Sequence, residues 1–194
     1  MSESELAQQI RQTLEATDFI DRTFPAFRKW GLRDEDVFVH SLGCSLWNAL
    51  GHDVGFMAVV EAPAPFAAGN DIRSDSVWFR RETGEPAVLI EFERYDGSQR
   101  SKEKLERKLA NLKAANARWD GKPELLVLSA WSVGVVSAPD ISGMLAKTSA
   151  MINNTVGTGG GGAAPKWLLF CRFIFEKEWS GLLKLERLAY WEGV

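Results

Sequence analysis

Three acidic side chains stand where two neighbouring strands are predicted to begin or end. Asp75 precedes a short apolar run, and Glu91 and Glu93 close the run that begins at Ala87. Side chains two apart in a strand project from one face, about 6.6 Å apart along it. A hairpin through the turn at Gly84 brings Asp75 beside them. Because carboxylates gathered at a low-dielectric boundary repel each other and lose hydration, the pattern predicts a divalent-cation site.

The segment after these acids is basic and has the pattern of a helix over residues 99–118. Ser98 is a suitable N-cap. The apolar stripe is formed by Leu105, Leu109 and Leu112, with Trp119 at its end. Lys104 and Lys108 lie four apart on one flank of the stripe, whereas the arginines point the other way. We therefore expect a flank lysine to approach the acids and the arginines not to. Those arginines are Arg100, Arg107 and Arg118.

The order of these motifs resembles the PD-(D/E)xK nuclease superfamily across residues 36–131. In that family an Asp at a strand start and the first acid of the next strand's motif hold Mg²⁺ or Mn²⁺. The resemblance maps these roles to Asp75 and Glu91, and the Phe92 carbonyl would add a further oxygen ligand. Two positions depart from the motif. Ser74 stands in place of proline, and Glu93 stands in place of lysine, as in a branch of type II restriction endonucleases.

A second resemblance concerns the run EFERYDGSQRSKEKLERKL. It is similar to the E-x-D-R-G-T…K segment of replication-relaxation proteins from mobile elements, and Lys108 then matches the lysine of their helix. On the nuclease interpretation, Glu93 would hold a second metal or act as a general base. Lys104 or Lys108 would stabilise negative charge on the scissile phosphate. The catalytic candidates are Asp75, Glu91, Glu93, Lys104 and Lys108.

Charge is unevenly distributed along the chain. The net charge is −3, but residues 73–118 carry eleven Lys and Arg against eight Asp and Glu. A basic excess beside a candidate metal site suits a phosphate-bearing substrate, and we expect the partner to be nucleic acid, namely DNA. The oligomeric state stays open, with a homodimer as the alternative to a monomer. The candidate phosphate contacts are Arg73, Arg94, Arg100, Lys102, Lys104 and Lys108.

Two other functions fit the same residues. Glu91 and Glu93 could pair with nearby cations in a structural network, in a nuclease-like domain that binds nucleic acid without cutting it; those cations are Arg94, Lys104 and Lys108. A protein-interaction module is the third class, favoured if three tryptophans prove exposed. They are Trp30, Trp179 and Trp191.

The predicted fold is a mixed α/β (α+β) sheet with the restriction-endonuclease-like order αβββαβ. The first core helix spans 35–50, with Asp34 or Asp36 as its cap and Gly51 as its end. Its partners are strands at 55–61, at 75–79 and at 87–93, the basic helix at 99–118, and a strand at 124–131. The strands form an antiparallel meander, and the last is parallel to the third because a helix connects them.

One domain is expected for residues 1–194. It divides into an N-terminal helical extension (1–33), a core (34–131) and a C-terminal part with a helix and a β-hairpin (132–194). Ser2 is the predicted cap of the first helix, and Asp140 that of the last. The hairpin strands are expected at 167–175 and 182–190. A flexible loop is expected at 157–164.

Several other functional classes lack a pattern. No apolar run approaches the length of a membrane span, and the acidic N-terminus lacks a signal-peptide core, so a cytoplasmic location is expected. Cys44 and Cys171 are predicted to be buried thiols without zinc-site spacing. His40 is predicted to be structural, and Glu35 to complement a helix dipole.

Overall fold

The computed structural model describes residues 4–33, 38–65, 71–155 and 167–193. None of the described helices is long and apolar enough to cross a membrane. The helices are α1 (Glu5–Glu15), α2 (Thr17–Thr23), α3 (Phe38–Asp53), α4 (Gln99–Arg118) and α5 (Ile141–Thr155), with a short 3₁₀ turn at Pro25–Phe27. The strands are β1 (Met57–Pro63), β2 (Arg73–Phe79), β3 (Pro86–Arg94), β4 (Leu125–Val133), β5 (Trp167–Lys177) and β6 (Leu183–Gly193).

The six strands form one mixed sheet in the order β1 to β6. β1, β2 and β3 form an antiparallel meander, and β3, β4 and β5 are parallel. β5 and β6 form an antiparallel hairpin. The predicted meander, parallel pair and C-terminal hairpin are confirmed. The parallel pairs follow from α4 and α5, because each helix carries the chain back across the sheet. β3 therefore lies inside the sheet rather than at an edge.

Helices cover both faces of the sheet, which explains the continuous apolar run at the start of β3. On one face, Leu46 and Leu50 of α3 share a core with Val88 and Ile90. On the other face, Leu105, Leu109 and Leu112 of α4 share a core with Leu89. Since side chains alternate along a strand, the odd-numbered acids of β3 lie on the α4 face.

Two glycines let α3 lie unusually close to the sheet. A Cβ added to Gly43 would lie 2.1 Å from Phe92 Cε1, and one added to Gly51 would lie 2.6 Å from Trp78 Nε1. The prediction that Gly51 ends this helix was wrong, because α3 continues to Asp53. Gly51 instead serves close packing. Gly43 brings the middle of α3 against the acid-bearing end of β3.

The predicted helix caps have mixed outcomes. Ser98 caps α4, where its hydroxyl accepts a hydrogen bond from the Ser101 N–H at 3.2 Å, and Asp140 accepts one from the Gly143 N–H. The cap of α1 is Ser4 rather than Ser2, because Ser4 accepts from the Ala7 N–H. Ser2, the stretch 34–37 with Glu35, and the loop at 157–164 lie outside the described residues.

A candidate metal centre beside a basic groove

The two principal acids lie where β2 and β3 separate. The last ladder pair between these strands is Ser76 with Ile90. One residue further, the Asp75 carboxylate accepts a hydrogen bond from the Phe92 N–H at 2.7 Å. Asp75 is 6% exposed and Glu91 1% exposed. Strand geometry thus fixes two carboxylates at the boundary of the core, as the sequence predicts.

Lys108 joins both acids from α4. Its Nζ lies 3.1 Å from Asp75 Oδ2 and 2.5 Å from Glu91 Oε2. The neighbouring Leu109 packs into the core over β3, so the lysine on its flank is directed at the strand end. The predicted approach of a flank lysine is confirmed. Among the described residues, Glu91 Oε1 is buried without a hydrogen-bond partner, an oxygen that suits a cation ligand.

The pKa values of Glu91 and Lys108 are set by burial and by the charges of Asp75, Glu91 and Lys108. Burial, and next the charge of Asp75, raise the pKa of Glu91 to about 8, although Lys108 opposes them. Burial lowers the pKa of Lys108, but Glu91 and Asp75 outweigh it, and the net shift is upward. The upward shifts of the two pKa values agree with each other, because two ionised acids beside one ammonium would leave a buried negative charge. An extra proton on Glu91 neutralises that charge while Lys108 keeps its own.

We expect the metal-free protein to lose stability as the pH rises from about 4.5 to about 8. The pKa of Glu91 moves from 4.5 to about 8 on folding, so the folded state binds more protons in that window and the free energy of unfolding falls. The loss in the free energy of unfolding is about 1.4 kcal/mol for each unit by which the pKa of Glu91 differs between the folded and unfolded states. Urea denaturation at several pH values measures it. Glu91→Gln should flatten the decline, and an equal decline in that variant would contradict the assignment.

Glu93 shares a face with Glu91 and opens onto a groove of about 420 Å³. Its Oε1 accepts a hydrogen bond from the Arg94 N–H at 2.9 Å and lies 3.4 Å from Lys104 Nζ. Acid–cation pairing at the strand end, the alternative interpretation of these glutamates, therefore does occur. The groove is lined by His40, Glu93, Arg94, Asp96, Ser98, Arg100, Ser101, Lys104 and Trp131.

The prediction that the arginines of α4 face away from the acids was wrong for two of them. Arg100 lines the groove with Glu93 and Lys104. Arg107 lines a neighbouring groove with Glu93, Lys104 and Lys108. The reason is helix periodicity itself: Arg100 lies four residues before Lys104 and Arg107 lies three residues after it, so the three side chains share one flank of α4.

Other predicted contacts are dispersed. Arg73 is exposed and pairs with Asp71, at 2.8 Å between Nε and Oδ2. Neither Arg73 nor Lys102 is among the described residues that line the two grooves.

Of the three tryptophans considered for protein interaction, Trp30 and Trp179 are exposed, at 68% and 93%, whereas Trp191 is half-buried.

Two residues of the site were missed at the level of sequence. Cys44 was predicted to be a buried thiol, and that degree of burial was wrong; the structural role predicted for His40 stays a prediction. Cys44 is half-buried, and its Sγ lies 3.8 Å from His40 Nε2. The ligand atoms of His40, Cys44 and Asp75 all lie within 4.8 Å of one another. The available signal was the i, i+4 spacing of His40 and Cys44, which places both on one helix face.

Comparison with protein-family models, curated proteins and solved structures found no match for this chain. What the chain itself provides is an acid pair on adjacent strands, a lysine from α4 that contacts both acids, and a basic groove next to them.

Proposed function

We propose that this protein is a metal-dependent DNA endonuclease of the PD-(D/E)xK type, a single nuclease-like domain with a restriction-endonuclease-like core. The observation that carries the proposal is the placement of Asp75 and Glu91 on adjacent strands, with Glu91 Oε1 buried and lacking a hydrogen-bond partner among the described residues. The order α3, β1, β2, β3, α4, β4 supports it. By the two family resemblances, the enzyme would act in mobile-element or defence biology, and the location that we propose for it is the cytoplasm.

Asp75, Glu91 and the Phe92 carbonyl would hold Mg²⁺ or Mn²⁺. Such an ion polarises a phosphodiester and lowers the pKa of a water molecule. Lys108 takes the part of the motif lysine, because it reaches the acids from α4 while Glu93 occupies the motif position. Its ammonium would stabilise charge on the scissile phosphate. Glu93 would accept the proton of the attacking water, with Lys104 orienting its carboxylate.

The groove supplies the binding surface for the nucleic-acid backbone. Arg94, Arg100 and Lys104 line it together, and each can neutralise a phosphate. The Arg94 guanidinium lies 5.2 Å from the centroid of the Trp131 ring, and this stacking restrains its orientation. A cationic wall next to the acids would hold a phosphodiester near the metal ligands.

The test is cleavage of supercoiled and linear DNA with Mg²⁺ or Mn²⁺, beside calorimetric titration of the metal. We expect metal binding, a rise in melting temperature because the ion binds only the folded state, and cleavage that stops on adding EDTA. Wild-type protein that binds neither Mg²⁺ nor Mn²⁺ would refute the enzyme proposal.

A second candidate is a nuclease-like domain that binds nucleic acid without cutting. The observation that favours it is that Lys108 and Lys104 already pair with Glu91 and Glu93, which reduces the demand for a cation. This alternative predicts salt-dependent DNA binding through the groove with no cleavage. If the protein is instead a protein-interaction module that binds its partner through the exposed Trp30 and Trp179, it should show no affinity for DNA even at low salt.

A further inference from the structure

We propose that His40, Cys44 and Asp75 form a second metal site, selective for a borderline transition ion such as Zn²⁺, on the α3 side of Asp75. The site offers one nitrogen, one sulfur and one oxygen ligand. Three protein ligands leave a fourth position of a tetrahedral ion open, which is the arrangement of zinc sites that act on a bound water or substrate.

The distances suit such an ion. Zinc lies about 2.3 Å from a thiolate and about 2.0 Å from an imidazole nitrogen, which in a tetrahedron places sulfur and nitrogen about 3.5 Å apart. Cys44 Sγ and His40 Nε2 are 3.8 Å apart. The carboxylate of Asp75 completes a group whose atoms lie within 4.8 Å. Small side-chain rotations would close the set around one ion.

The backbone holds these ligands in place. His40 and Cys44 are one helical turn apart on α3, so they lie on the same face. Gly43 allows this turn to contact the Phe92 ring, and the Phe92 N–H in turn fixes the Asp75 carboxylate. Cys44 is half-buried and His40 lines the basic groove, so an ion can enter, and its open position can be reached from that groove.

The donor set selects the metal. Imidazole and thiolate favour Zn²⁺ and related ions, whereas Mg²⁺ prefers oxygen alone. Binding replaces the proton of the Cys44 thiol by the metal, and that proton is released to solvent. No oxidant or reductant takes part. The site goes beyond the proposed nuclease function, because its ligand set can be filled whether or not DNA is cleaved.

Cobalt(II) provides the direct test, since it reports its ligands by absorption. One equivalent of Co²⁺ added to the full chain should give the visible bands of a tetrahedral ion and a near-ultraviolet sulfur-to-cobalt charge-transfer band, and Zn²⁺ should displace both. Cys44→Ser should abolish the charge-transfer band. His40→Gln should weaken Co²⁺ affinity by about tenfold or more.

The chain provides matched controls, because it has two cysteines and two histidines. Cys171→Ala and His52→Gln should leave the Co²⁺ spectrum unchanged, with circular dichroism verifying the fold of every variant. A charge-transfer band that persists in Cys44→Ser would overturn the site. Wild-type protein that gives only weak octahedral bands would also overturn it, and this result would leave the carboxylate site of the nuclease proposal untouched.

Discussion

Asp75→Asn should reduce metal-dependent DNA cleavage by about a thousandfold or more. The substitution removes one of the two charged ligands proposed for Mg²⁺ or Mn²⁺, and a loss of several kcal/mol of charge stabilisation corresponds to that factor. The rise in melting temperature on adding Mn²⁺ should disappear with the activity. Cleavage of supercoiled plasmid and calorimetric titration with Mn²⁺ measure the two effects on the same preparation.

The fold of this variant should persist. An Asn oxygen can still accept the hydrogen bond from the Phe92 N–H that Asp75 accepts at 2.7 Å, and the variant has one negative charge fewer beside Glu91. Asp71→Asn is the matched control, because Asp71 is exposed and pairs with Arg73 at the surface. That control should cut DNA at the wild-type rate. Full metal-dependent cleavage by Asp75→Asn would remove Asp75 from the proposed mechanism.

Lys108→Met should lower the free energy of unfolding of the metal-free protein by up to about 3–5 kcal/mol, and the full loss is expected only well above pH 8, where Glu91 would be ionised without its partner. Removing one partner from a buried ion pair leaves an uncompensated charge, and here two acids lose the ammonium that contacts both. Lys104→Met is the matched control. Its side chain is 37% exposed and contacts Glu93 alone in the described salt bridges, so its loss should cost about 1 kcal/mol or less.

Two conditions should restore part of the stability that the Lys108→Met variant loses. The loss should shrink at low pH. Lys108 opposes the upward shift of the Glu91 pKa, so that pKa rises further without it, and below about pH 6 the proton that Glu91 carries in both proteins removes the uncompensated charge. Mn²⁺ should stabilise this variant more than the wild type, since the cation replaces the missing positive charge. Urea denaturation at pH 5.5 and 8.5, with and without Mn²⁺, and at pH 10 without Mn²⁺, gives these quantities. Equal losses in the two lysine variants would show that Lys108 does not neutralise the acids.

The sequence by itself determined the local features. The unbroken apolar start of β3 indicates a strand covered on both faces, and the Ser98 cap with the stripe through Leu109 predicts α4 at its observed bounds. The shared face of Glu91 and Glu93 follows from strand periodicity. Each of these depends on neighbours within a few residues, and for that reason propensity and spacing suffice.

Only the tertiary structure decided which distant side chains meet. Helix periodicity places Lys104 and Lys108 on one flank of α4. The position of α4 on the sheet then decides that Lys108 contacts the buried acid pair and Lys104 contacts Glu93. The group of His40, Cys44 and Asp75 depends on how closely α3 packs. The distance between α3 and the sheet is set by the contact of Gly43 with Phe92. These residues are far apart in the chain, so no local sequence pattern predicts their contact.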